Sequence, residues 1–210
     1  MHVLQLKMIR KQSQERAADL GYDINESLPL LDEIRVGRSA TVITSRLFAM
    51  LCVAACAYGF DRKKAISWLE QQGSYELLST AECRYLKSGV GDRQRFMHQI
   101  EGMWALGWCI NVVPEMDFGQ PCSQDFISYF PDLKKGESGE LFRSKASLRS
   151  DESIASQCDL SFCLHWSIVH AELQKKKAYA SVKPFVVIER RRAFEWILTG
   201  CEWDEVALDT

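Results

Sequence analysis

The sequence predicts a mostly α-helical protein, an irregular multi-helix bundle in a single domain with at most one short strand or β-hairpin. Helix-start and helix-stop residues recur along the chain, while strand signals are scarce. Two long segments are apolar nearly all round, the mark of helices enclosed by other helices rather than lying on a surface. A chain of 210 residues with 47% apolar and 26% charged residues can also bury a sizeable core.

Taken in order, residues 3–20 carry helix formers and stop at Gly21, a natural C-terminal cap. Leu28-Pro29-Leu30-Leu31 resets the chain. A second helix starts at Ser39, a potential N-cap, and runs to Tyr58 before Gly59. Asp61 caps a third helix that Gly73 closes, and Ser79-Thr80-Ala81-Glu82 has the spacing of a capping box for a short fourth. Asp92 opens the next helix, which carries Trp104 and Trp108 and is expected to run until Pro114. Residues 113–145 are the least regular part, with three prolines and three glycines, and read as a mobile loop region anchored by Phe126, Tyr129 and Phe130. A long helix follows from Ser150 to about Lys176. The last helix covers about 185–199 and stops at Gly200. Val182 to Ile188 is rich in β-branched residues, so a short strand is the rival there. The helices from Asp92 and Ser150 are expected to form the centre of the bundle.

Lys and Arg total 26 against 28 for Asp and Glu, so no overall field points toward nucleic acid or a membrane. The runs Lys175-Lys176-Lys177 and Arg190-Arg191-Arg192 are local. The tryptophans lie in apolar helical contexts, as core fillers rather than a stacking platform for bases. The amino terminus reaches Lys7 before a long apolar region forms, so no secretory leader is expected. The apolar run Leu47 to Phe60 is short for a membrane span. Eight cysteines without a CxxC pair then read as reduced thiols in a cytoplasmic protein.

The residues that stand out are charges on apolar helix faces. Glu101 shares a face with Met97, Trp104, Ala105 and Trp108, and Arg46 shares one with Val42, Ala49, Met50 and Val53. Arg190 falls among Val186, Phe194 and Ile197, and Arg149 opens the long helix. A carboxylate in such a place must be paired or protonated. One reading is a general acid or base with cationic partners. The other is a buried ion-pair network that fixes helix register, and it carries more weight.

Asp159, Cys163 and His170 share a helix face, which invites a nucleophile reading with His165 nearby. Cys163 and His170 are nevertheless separated by roughly 10 Å along a straight helix, too far for a direct hydrogen bond. Cys52 and Cys56 have i,i+4 spacing but sit among small packing residues, so no metal site is expected. No phosphate loop, HExxH pattern or GxSxG elbow occurs, and no cofactor is expected.

Several of these residues fall into a family pattern. Its pieces are Leu28-Pro29, Arg46, Trp68-Leu69, Leu78-Ser79 with Glu82, and Glu101 with Trp104-Ala105-Leu106 and Trp108. Then come Leu148-Arg149, Asp159-Leu160, Leu164-His165-Trp166, Glu189-Arg190, Ala193, Trp196, and the ending Trp203-Asp204-x-Val206-x-x-Asp209-Thr210. From about residue 28 to its end the chain resembles the bacterial domain of unknown function 4272 family, the closing motif being the most specific part. The resemblance implies a helical, cytoplasmic, bacterial protein and adds weight to Glu101, Arg46, Asp159, His165 and Arg190. It supplies no activity. Where the family pattern tends to place Asn before the tryptophan of the last helix, this chain has Glu195.

The function these observations favour is protein–protein binding without catalysis, specifically an immunity protein that neutralises a partner toxin. The irregular segment with Phe126, Tyr129 and Phe130 is the expected contact, because recognition sits on loops carried by a rigid scaffold. The rival is an enzyme that gathers Glu101, Arg46, His165 or Asp159 around one accessible pocket. The ending is expected to pack back on the helices through Trp203, with Asp204 and Asp209 meeting the basic residues at 190–192.

Overall fold

Helices begin and end where local chemistry asks them to. The computed structural model describes residues 2–32, 34–176 and 182–210. Helix α1 spans His2–Asp19, and α2 spans Ala40–Ala57 with the Ser39 hydroxyl accepting from the Val42 N–H. Helix α3, Arg62–Gln71, is capped by Asp61 in the same manner. Helix α4, Thr80–Ser88, opens on a complete capping box between Ser79 and Glu82. Helices α5, Arg93–His98, and α6, Ile100–Cys109, follow Asp92. Next come α7, Glu140–Lys145, then α8, Asp151–Leu173, capped by Ser150, and α9, Pro184–Thr199. Gly21 and Gly200 take left-handed φ values of 84° and 71° just past α1 and α9, where a side chain would be strained.

Two local expectations change, and the rival strand reading at the start of the last helix falls away. The helix from Asp92 is interrupted at Gln99, whose buried side chain donates to Glu82, and it ends at Cys109 rather than at Pro114. Asn111 turns the chain there with φ 59°. The β-rich stretch is not a strand: α9 begins at Pro184, and Val186 and Val187 face the core as helical residues. Segment 113–145, read as mobile, contains a 3₁₀ turn at Phe126–Tyr129 and all of α7.

The helices form a chain of neighbours, with α1 on α8, α8 on α9, α9 on α6, and α6 on α2. Helices α3, α4 and α5 close over α2. The centre is therefore not α6 against α8; α9 lies between them. One apolar cluster runs through these elements, including Leu47 and Phe48 of α2, Met103 and Leu106 of α6, Leu164 of α8, and Phe194 and Ile197 of α9. Helix α2 is long and apolar enough to cross a membrane, with mean hydropathy 1.8 over 18 residues, yet 78% of it is buried against the other helices. That enclosure is the ordinary fate of an apolar core helix.

After Gly200 the chain makes a 3₁₀ turn at Trp203–Glu205 and packs back as expected, with Trp203 and Val206 buried. The Trp203 ring meets Trp196 edge-on at 5.8 Å. Its acidic partners differ from expectation. Asp204 accepts from the Ala81 N–H at 3.1 Å and pairs with Arg95 at 3.3 Å, so it serves α4 and α5 rather than residues 190–192. Asp209 does meet that run, through its main-chain carbonyl, which accepts from Arg191 at 2.8 Å.

Candidate functional site

The charged residues on apolar faces are buried, and the structure sorts them into separate pairs. Arg46 projects from α2 onto Glu82 in a bidentate pair of 2.6 and 2.7 Å, with both side chains almost wholly enclosed. The same carboxylate closes the capping box of α4 by accepting from the Ser79 N–H, and it accepts from Gln99 Nε2 at 2.8 Å. Arg46 also donates to the Leu77 carbonyl at 2.7 Å and lies 4.2 Å from the Trp203 ring. Sequence spacing reveals Glu82 as a capping residue but cannot reveal its ion pair, because Arg46 lies 36 positions away.

Glu101 pairs with Arg190, accepting from Nε at 3.0 Å and Nη2 at 2.8 Å. Its second oxygen accepts from the Cys122 N–H at 3.0 Å. Arg190 sends its remaining donors to the carbonyls of Asp117 and Gln120. Burial, with Glu101 beside it, pushes the Cys122 thiol up to about 12.

Asp159 accepts from Arg10 at 3.0 and 2.7 Å, and Arg10 reaches on to the carbonyls of Leu28 and Pro29, each at 2.8 Å. Arg191 Nη1 lies 2.7 Å from His165 Nδ1. A guanidinium has no acceptor, so this contact requires an unprotonated Nδ1 and a neutral ring. Burial first, then the charges of Arg191 and Arg192, hold the His165 pKa down at about 4.

A shared design emerges. These guanidinium groups spread donors over main-chain carbonyls, most of them in loops, at helix ends or at the chain's end. Arg149 does so for α6 and the following loop, through Trp108, Val113 and Pro114. Arg143 does so for Gln72, and Arg38 for Trp196. The gathering of Glu101, Arg46, His165 and Asp159 that an enzymatic reading requires is not formed, since each is engaged by its own partner. Cys163 is buried with its thiol pushed up to about 12, chiefly by burial, and His170 stacks on Trp166 at 4.7 Å. Among the described residues no group of three or more His, Cys, Asp or Glu is placed to hold a metal ion.

One surface feature with room for a partner is a cleft of about 840 Å³ between the carboxyl end of α2, the start of α3 and residues 127–137. Leu51, Ala55, Phe60 and Leu133 contribute to its lining, and Tyr58 and Ile127 line it while more than half exposed. Of the three aromatics expected to bind, Phe126 and Phe130 are buried, and Phe130 still contributes an edge to the cleft. They pack on each other at 5.0 Å, on Trp104 and on Phe142. Tyr129 is 40% exposed and lines the adjoining groove with Leu141. The exposed apolar residues of the cleft that sequence reasoning did not single out are Ile127, between two anchors, and Tyr58, the C-cap of α2.

The segment is tied down. Trp68 Nε1 donates to the Glu137 carbonyl at 2.8 Å, and Gln72 Oε1 accepts from the Gly139 N–H at 2.9 Å. Glu137 accepts from the Asp132 N–H, and Asp132 from the Lys134 N–H, each at 2.9 Å. Backbone irregularity here comes with several hydrogen bonds to side chains and main chain, so the cleft wall is preorganised.

A family model described as "Domain of unknown function (DUF4272)" matches residues 9–206, nearly the whole chain. No curated protein and no solved structure matches it.

Proposed function

We propose that this chain, which belongs to the domain of unknown function 4272 family, acts by protein–protein binding, as an immunity protein that neutralises a partner toxin. The observation that carries this reading is the cleft beside residues 127–137, where Tyr58 and Ile127 stand exposed on a wall held by hydrogen bonds. Fully burying an exposed side chain of this size is worth roughly 1.5–3 kcal/mol. A wall already ordered loses little entropy when a partner arrives. Neutralisation requires tight occlusion of the partner and no reacting group.

The rim suggests the partner's chemistry. Asp61, Asp132 and Glu137 turn oxygens onto backbone N–H groups of their own turns, and Lys135 pairs with Asp132. Lys64 and Lys134 line the cleft with no carboxylate in ion-pair reach among the described residues. A segment combining apolar and acidic side chains fits such a surface, with its charges at the rim.

Co-expression with the polypeptide encoded immediately upstream tests this reading. A complex that survives purification, and growth protected from that polypeptide's toxicity, are the expected results, both lost in Ile127→Asp. Neither complex nor protection would overturn it.

A further inference from the structure

The cleft proposed to bind a partner does not end at its wall. Ser128, Phe130, Pro131 and Glu137 border it on one side and, on the other, a second groove of about 360 Å³. Residues 128–131 are therefore a ridge between two depressions. Leu141 and Lys145, one helical turn apart on α7, line the far groove together with Tyr129. The ridge is locked from beneath. The Phe130 N–H donates to the Ile127 carbonyl at 3.1 Å, and the Phe130 ring packs on Phe126 at 5.0 Å and stacks on Phe142 at 5.2 Å.

Apolar exposure is concentrated here. Among the described residues eleven large apolar side chains are exposed, and four of them line these two depressions. Tyr58 and Ile127 line the near cleft, Tyr129 and Leu141 the far groove. Soluble chains scatter such side chains singly, so their gathering marks an interaction surface. Charge follows the same division. Lys64 and Lys134 border the near cleft and Lys145 the far groove, none with a carboxylate in ion-pair reach among the described residues. Glu137, between the two, turns an oxygen onto the Asp132 N–H.

We propose that one protein partner grips this ridge from both sides. The inference rests on the protein-binding reading and adds the partner's form. It is a surface with two apolar projections, one for each groove, flanked by carboxylates that meet Lys64, Lys134 and Lys145. Interface size argues the same way. A stable interface covers about 800 Å² on each partner, an extent that two exposed apolar side chains do not supply alone. Apolar groups of the partner displace water from both grooves, while its acidic rim speeds encounter with the lysines.

The test uses the full chain and the upstream-encoded polypeptide, with association and dissociation followed by surface plasmon resonance. Leu141 is 67% exposed in the first turn of α7, where a carboxylate suits the helix. Leu141→Asp should therefore melt as the wild type does and weaken binding about tenfold or more. Tyr129→Ala, which adds no charge, should weaken it about 3-fold or more, and decides the matter if the aspartate disturbs the fold. Lys145→Glu should slow association about 3-fold at low salt, less as salt rises, while Lys145→Arg keeps the rate. A complex lost in Ile127→Asp but of wild-type affinity in Leu141→Asp and Tyr129→Ala would overturn the two-sided grip and leave the near-cleft reading standing. No complex with the wild type would overturn both. An unchanged association rate in Lys145→Glu would overturn the acidic partner.

Discussion

A guanidinium offers five donors, and this chain uses them to join helices to the segments between them. Glu101 receives two donors from Arg190 and one from Cys122, so nothing about its geometry leaves an oxygen free for a substrate. Replacing it by Gln keeps the shape but leaves the buried Arg190 charge uncompensated. Glu101→Gln should therefore cost about 3 kcal/mol or more in urea unfolding. A loss below about 1 kcal/mol would show that the pair is not the structural tie described.

His165 makes a pH prediction. Its folded pKa of about 4 lies below its ordinary 6.5, because burial and two arginines oppose its charge. Between those values the unfolded chain binds a proton that the folded chain refuses, so stability falls as pH drops from 7 toward 4. The contribution is roughly 2 kcal/mol. Glu189 and Glu195, raised first by burial, work with the opposite sign over the acid range. The comparison must therefore be between the wild type and His165→Gln, whose amide oxygen can still accept from Arg191. The wild type should lose more stability than the variant between pH 7 and 4.5, measured by denaturant unfolding. Parallel profiles would contradict the assignment.

At the scale of elements, α7 and the turns before it are held by close packing as well as by hydrogen bonds. A methyl group on Gly139 would collide with the Phe48 ring of α2 and lie 2.8 Å from Gln72 Oε1. Gly139→Ala should lower stability by about 1–3 kcal/mol, seen in thermal melts, through overpacking of a full site. Ser79→Ala, which removes one half of the capping box on α4, should cost about 1 kcal/mol.

These two positions show what could be read beforehand. Ser79 and Glu82 are three residues apart, so the box is local and visible in sequence. Gly139 and Phe48 are brought together only by the fold, and nothing near Gly139 announces the contact. Caps at Ser39, Asp61 and Asp92 were legible for the same local reason, as was the start of the long helix at Ser150. The central place of α9 was not, because Glu189-Arg190-Arg191-Arg192 makes it look solvated. Its charges are buried by partners on α6, on α8 and at the chain's end, at separations no short pattern contains. The candidate site was half legible. The cleft borders the segment singled out in sequence, but Phe126 and Phe130 are buried, Phe130 showing the cleft only an edge, and the exposed apolar side chains there are Ile127 and Tyr58.

At the scale of the whole molecule, the chain's end closes the bundle. Arg38 and Arg191 hold its carbonyls, Trp203 lies over Arg46, and Asp204 caps α4. Trp203→Ala should cost about 3 kcal/mol or more and expose the Arg46–Glu82 pair, with a matching fall in melting temperature. The opposite face of α2 contributes the floor of the cleft proposed to bind a partner, so the same apolar helix supports both the closed end and the open surface.

The central claim is that the cleft beside residues 127–137 binds a protein partner, and titration calorimetry tests it most directly. The wild type, Ile127→Asp and a control on the far surface, Glu15→Ala, would each be titrated with the upstream-encoded polypeptide. The account predicts binding tighter than about 10⁻⁷ M for the wild type and control. It predicts a weakening of about 100-fold or more in Ile127→Asp, as expected for loss of a buried anchor. Absence of heat with the wild type, or equal affinity in Ile127→Asp, would contradict it.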